Sequence, residues 1–185
     1  RLSRLYGPEA ATGASLAATE DHAGDLWIDA SALQLIERKI GKTTTFASDA
    51  TKPEGLGPGV QALLTDSAGN VWIGSERGLN CVEAGSRRMR RRLTTADGLP
   101  HDNVTSLLED ADGDLWVGTS RGLARIVGAV RLPEHPVITS FDVADGLQGQ
   151  EFVRGAAFRS RRGEMFFGGQ RGLNAFFPSD VRPNP

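Results

Sequence analysis

The sequence predicts an all-β chain assembled from a repeated four-stranded unit, and three observations predict it. The 185 residues include 23 Gly and 9 Pro, about one Gly in eight, which suits a turn-rich chain better than a helical one. The segment Asp21-His22-Ala23-Gly24-Asp25-Leu26-Trp27-Ile28 returns as Asp66-Ser67-Ala68-Gly69-Asn70-Val71-Trp72-Ile73 and as Asp110-Ala111-Asp112-Gly113-Asp114-Leu115-Trp116-Val117. A weaker fourth copy reads Ser160-Arg161-Arg162-Gly163-Glu164-Met165-Phe166-Phe167, so the aromatic anchors at 27, 72, 116 and 166 step by 45, 44 and 50. A period near 45 in turn-rich sequence fits the four-stranded blade of a β-propeller.

Each element of the unit has its own signal. In the third copy, Val104–Glu109 reads as the first strand and Leu115–Thr119 as the second. Leu123–Val127 reads as the third and Val137–Val143 as the fourth. Gly24, Gly69, Gly113 and Gly163 fall where a tight hairpin asks for a positive φ. Ala17, Ala62, Ser106 and Ala156 are small, as first strands crowding a central axis require, and the Trp anchors are placed to fill the wedges between blades. Downstream, Gly74-Ser75-Glu76-Arg77-Gly78-Leu79 matches Gly118-Thr119-Ser120-Arg121-Gly122-Leu123 and Gly168-Gly169-Gln170-Arg171-Gly172-Leu173. The first unit departs from this, with Asp29 at the Gly position.

The expected organisation is a remnant of a preceding blade over 1–14 and blades over 15–53, 54–97, 98–147 and 148–178. A linker over 179–185 is expected to lead toward a further domain. Leu2-Ser3-Arg4-Leu5 overlays the third strand Leu123-Ala124-Arg125-Ile126, which suggests a slice of a larger ring. An open arc exposes blade faces and strand edges, so self-association is expected.

The unit Asp-x-x-Gly-(Asp/Asn)-(Leu/Val)-Trp-(Ile/Val)-Gly, continuing to Arg-Gly-Leu, resembles the two-component regulator propeller repeat over residues 15–177. The ending Gly163-Glu164-Met165-Phe166-Phe167-Gly168-Gly169 through Phe176-Phe177-Pro178 is similar to that family's final blade. The resemblance implies the periplasmic sensor region of a bacterial membrane receptor. An immunoglobulin-like domain, a membrane helix and an output such as a histidine kinase or diguanylate cyclase would follow it. Some relatives are thought to recognise polysaccharide fragments, so a small ligand, with an oligosaccharide as candidate, is the expected partner. Membrane attachment would come only through segments outside this sequence.

Composition narrows the chemistry. Twenty-one Lys and Arg against 23 Asp and Glu give a formal charge of −2, which offers no general drive toward nucleic acid. Cys81 is the single cysteine, excluding an internal disulfide. The alternating carboxylates of Asp110, Asp112 and Asp114 imitate a calcium loop but lack its closing Glu, so turn-forming acids are expected there and no metal or cofactor. His22, His101 and His135 occupy unrelated positions in their units. No acid–base pairing recommends them for catalysis, although some propeller lyases place a histidine over the channel mouth. Five arginines lie within Arg87–Arg92, read here as a solvated rim strand.

The connections between blades are the expected ligand surface, because they and the second-to-third-strand turns emerge on one face around the axis. They supply Asp97, His101, Asp102, Asn103, Gln148, Gln150 and Glu151, with Asp145 nearby. Arg77, Arg121 and Arg171 sit at equivalent turns, where repetition suggests that they brace neighbouring blades. The leading expectation is a non-catalytic sensor. A propeller lyase or glycan-active enzyme and an interaction scaffold stand as alternatives.

Overall fold

The computed structural model describes residues 17–181, apart from 31, 50 and 91. The expected remnant over 1–14 and the end of the expected linker lie outside them. Four separate antiparallel sheets follow one another along the chain. The first holds β1 (Ala18–Glu20), β2 (Leu26–Asp29), β3 (Leu33–Glu37) and β4 (Lys42–Phe46), and the second holds β5 (Val60–Thr65), β6 (Val71–Ser75) and β7 (Gly78–Val82). The third comprises β8 (Val104–Glu109), β9 (Leu115–Thr119), β10 (Gly122–Ile126) and β11 (Ile138–Phe141). The fourth comprises β12 (Phe152–Arg159), β13 (Met165–Gly169) and β14 (Gly172–Phe176). Every pairing joins sequence neighbours, so each sheet is a meander and the fold is a run of propeller blades.

Two of the four sheets depart from the expected strand number. Among the described residues, the outer edge of the second blade is reduced to two isolated bridges, Leu79 with Leu93 and Val82 with Met89. The fourth blade has three strands. In the third blade the first two strands match the reading from sequence. The third starts one residue earlier, at Gly122, and the fourth is shorter because Val143–Asp145 forms a 3-10 turn.

The repeated Asp explains why each hairpin forms. Asp66 Oδ1 accepts the backbone N–H of Ala68 at 3.0 Å and of Asn70 at 2.8 Å, while Oδ2 accepts Trp72 Nε1–H at 2.8 Å. Asp110 repeats this with Asp112, Asp114 and Trp116, the last at 2.8 Å, and Asp21 repeats it with Ala23, Asp25 and Trp27. One carboxylate thus closes the turn and holds the indole that leads the next strand. The fourth copy lost both partners together: Ser160 Oγ accepts only Glu164 N–H at 3.1 Å, and the Phe166 ring has no N–H to offer. The turn glycines 24, 69, 113 and 163 have φ between +77° and +89°, as the hairpin requires.

The core lies between blades rather than within them. Trp27, Leu33 and Leu35 pack against Leu56, Val60, Val71, Ile73 and Val82 of the second blade. Trp72, Leu79 and Cys81 pack against Leu107, Leu115, Val117 and Ile126 of the third. Trp116, Leu123 and Phe141 pack against Phe152, Met165 and Phe167 of the fourth. Each Trp therefore fills a wedge that the following blade closes. Among the described residues, no apolar cluster joins the fourth blade back to the first.

Candidate functional site

Loops entering the first strands and the turns after the second strands meet at one end of the sheets. Glu76 N–H donates to Gly59 O at 3.2 Å, Ser120 N–H to Asn103 O at 3.0 Å, and Gln170 N–H to Glu151 O at 3.2 Å. Gly122 N–H reaches Gln150 O in the entry loop of the next blade at 2.7 Å. The loops that lead into the third and fourth blades carry all seven residues proposed from sequence, in different states of engagement.

The acids of the loops are spent on the loops. Asp97 Oδ2 accepts Thr94 N–H at 2.9 Å in a capping box, and Asp145 does the same for Asp142 at 2.9 Å. Asp102 Oδ1 accepts Thr95 N–H at 2.7 Å, and His101 Nδ1 accepts Asn103 N–H at 2.9 Å. Gln148 lies over Gly172, whose missing side chain makes room for it. Gln150 and Glu151 are bonded through their carbonyls, and their side chains are exposed. Asn103 differs from the rest. Its Oδ1 accepts Gln61 Nε2–H at 2.8 Å and its Nδ2 donates to Ser120 Oγ at 2.5 Å, joining the second blade to the third.

The arginines correct two expectations. Arg77, Arg121 and Arg171 do not brace neighbouring blades: all three are exposed, and their guanidinium groups make no hydrogen bond or ion pair among the described residues. The turn geometry alone accounts for their position, leaving the heads in water. The Arg87–Arg92 run, in contrast, is more than a solvated rim. Arg87 bonds Asp25 of the first blade at 2.6 Å and Glu37 at 3.2 Å, and Arg92 donates to Gly55 O at 2.5 Å. Arg88 and Arg90 line a groove of about 800 Å³ between the second and third blades, floored by Trp72, Leu79 and Ile126.

The sequence reading missed the polar centre of this end. Arg154 of β12 reaches across to the first two blades, donating from Nη2 to Asp29 Oδ2 at 3.0 Å and to Val60 O at 2.9 Å, and from Nε to Gln61 O at 3.3 Å. Its placement follows from an enlarged bulge. Gln61 in β5 and Thr105 in β8 are single-residue bulges, whereas residues 153–156 of β12 oppose Gly168 alone. Gly155 turns the chain there with φ +69°. Asp29 is largely buried, so desolvation raises its pKa, and the hydrogen bond and charge of Arg154 offset part of that rise. The available signals were the 50-residue last step and the Asp in a Gly position. Among the described residues, no three His, Cys, Asp or Glu side chains gather as a metal site.

Comparison with known proteins agrees with this architecture. Residues 55–77 and 98–121 match the family described as Two component regulator propeller. The extracellular domain of BT3049, assigned to the hybrid two component systems of B. thetaiotaomicron, superposes with a TM-score of 0.77 at 17% identity, over 94% of this chain and 23% of that one. The corresponding domain of BT4673 from the same organism gives 0.71 at 15% identity, over 97% and 23%. A catalytically inactive virginiamycin B lyase from Staphylococcus aureus with quinupristin gives 0.63 at 14% identity, over 90% and 56%. The chain thus spans about a quarter of the two extracellular domains, and likeness at these identities establishes the fold. No curated protein matches the chain. The Asp-Gly-Trp units, the blade topology and the matched segments together identify residues 55–77 and 98–121 as two-component regulator propeller repeats set in a run of propeller blades.

Proposed function

We propose that the chain is a ligand-sensing, non-catalytic propeller segment of a bacterial signalling receptor, exposed to the periplasm. The ligand is a small molecule, with an oligosaccharide as the leading class. It is read at the end of the blades where Asn103, His101, Gln148, Gln150 and Glu151 lie. One observation carries this reading: polar side chains from different blades converge at that end, with Gln61, Asn103 and Ser120 joined in a chain beside exposed amides and guanidiniums. Amide and guanidinium donors set among carbonyl acceptors suit a hydroxyl-rich ligand. No helix among the described residues is long and apolar enough to cross a membrane, so attachment in this reading belongs to other segments of the receptor. The exposed Phe158 and Leu173 of the fourth blade, at 63% and 49%, support self-association of the isolated chain.

The test is a thermal-shift screen with neutral and acidic oligosaccharides, since a binder of the folded state raises Tm by mass action. The hit is then titrated against His101→Ala, Asn103→Ala, Gln150→Ala and Glu151→Ala. Weakened binding in Asn103→Ala and at least one other variant is expected. Unchanged affinity in all four would remove this face from the reading.

A further inference from the structure

Two residues that break the repeat find each other. Asp29 stands where the other blades carry Gly74, Gly118 and Gly168, and Arg154 stands in a four-residue bulge where the second and third blades have a single extra residue. They lie 125 positions apart in sequence and meet at 3.0 Å, with side chains 13% and 34% exposed. Among the described residues, the side-chain hydrogen bonds of Arg154 all go to other blades. Asp29 makes no other side-chain hydrogen bond among the described residues, and the widened bulge costs β12 ladder pairing.

We infer that Asp29 and Arg154 form a clasp across the axis, whose role is to fix where the fourth blade sits relative to the first two. Consecutive blades are held by apolar wedges, each of which sets only the angle to the next blade. Small angular freedom at each of three wedges accumulates along the arc. The clasp acts on the sum, because it ties the last blade to the first directly. It also ties it to the second, through the carbonyls of Val60 and Gln61. A guanidinium suits this task, since its planar fork can bind a carboxylate and carbonyls at once in one fixed geometry. The contact is short and partly desolvated, so solvent screens it less than it would an ion pair on the rim. Its consequence for the face is positional. The fourth blade carries the entry loop with Gln148, Gln150 and Glu151, and Gln61 carries Asn103, so the clasp sets the spacing between them.

Paired spin labels at the exposed positions Thr43→Cys, in β4 of the first blade, and Ser179→Cys, in the 3-10 turn that follows β14, report the distance across the arc. The native Cys81 is buried and stays unlabelled. In the otherwise unaltered chain one narrow distance is expected. Asp29→Gly restores the residue found at this position in the other blades, so the fold tolerates it, and the distance should broaden and shift. Arg154→Gln should do the same, and the double variant should add nothing further. Arg154→Lys retains the charge without the fork and should recover part of the narrow distribution. Unchanged distances with a lowered Tm would reduce the pair to an ordinary stabilising contact and overturn the proposal. So would additive shifts in the double variant.

Discussion

Strands β7 and β14 open with the same three residues, Gly-Leu-Asn, and continue with Cys-Val and Ala-Phe. In β7 all five residues are buried, whereas in β14 three are exposed and two half-buried. Leu79 is fully buried and its counterpart Leu173 is 49% exposed. Local sequence is therefore not what buries a strand in this fold. Leu79 is covered because the third blade supplies Leu107, Leu115 and Ile126, and among the described residues Leu173 has no following blade. Burial is a property of position in the series.

Truncating equivalent side chains breaks the comparison most directly. Trp116→Ala removes an indole packed on Phe141 and Phe176, with centroids at 5.7 and 4.9 Å, and should cost about 3–5 kcal/mol in a urea or thermal melt. Leu79→Ala should cost about 2–5 kcal/mol on the same ground, and Leu173→Ala under about 1 kcal/mol. Similar losses for the two leucines would refute the positional account.

The turn carboxylates give the next effect. Asp110→Ala strands two backbone N–H groups and the Trp116 indole N–H, and should destabilise by about 1–3 kcal/mol. Replacing Asp110 by Ser together with Trp116→Phe copies the fourth blade and should cost less than the sum of the two single changes. Additive losses in a double-mutant cycle would separate turn from indole.

A chemical probe sharpens the contrast without perturbing the core. Burial pushes the Cys81 thiol well above its ordinary range, and the Asp66 carboxylate adds to the rise. Its thiolate, the reactive form, is therefore scarce at pH 8. Ala175 is the matching position in β14 and is exposed. Cys introduced by Ala175→Cys should react with a disulfide reagent in the native state, while Cys81 reacts only on unfolding.

The smallest effect is expected at Ser106, whose buried hydroxyl has no hydrogen-bond partner among the described residues. The other three copies carry Ala there, at 17, 62 and 156. Ser106→Ala should leave Tm unchanged or raise it slightly, because an unsatisfied buried hydroxyl is a cost.

The architecture was legible because its causes are local and repeated. Asp, Gly and Trp at fixed offsets form one hydrogen-bonded turn, and three good copies declare the period. The end of β11 shifted because a capping box at Asp142, not propensity, closes it. The candidate face was legible as a set of loops, but which side chains remain available on it was not. Asp97, Asp102 and Asp145 are held by backbone donors that sequence does not show as bound. Arg87 with Asp25 and Arg154 with Asp29 were hidden for a different reason. Contacts between distant blades depend on how turns stack in space, and a repeat advertises only what it repeats.

The wedges have a temporal meaning as well. A ribosome delivers the first blade with Trp27 and Leu35 on an open flank, and their cover, Val60 and Ile73, follows only 25 to 46 residues later. Trp116 likewise precedes Phe152 by 36 residues and Phe167 by 51. Each newly emerged blade is thus both the lid of its predecessor and a sticky surface awaiting a successor. A pause in translation just after a blade is complete would leave that surface bare for longest, and a chaperone guarding this chain would find its targets there, one per repeat.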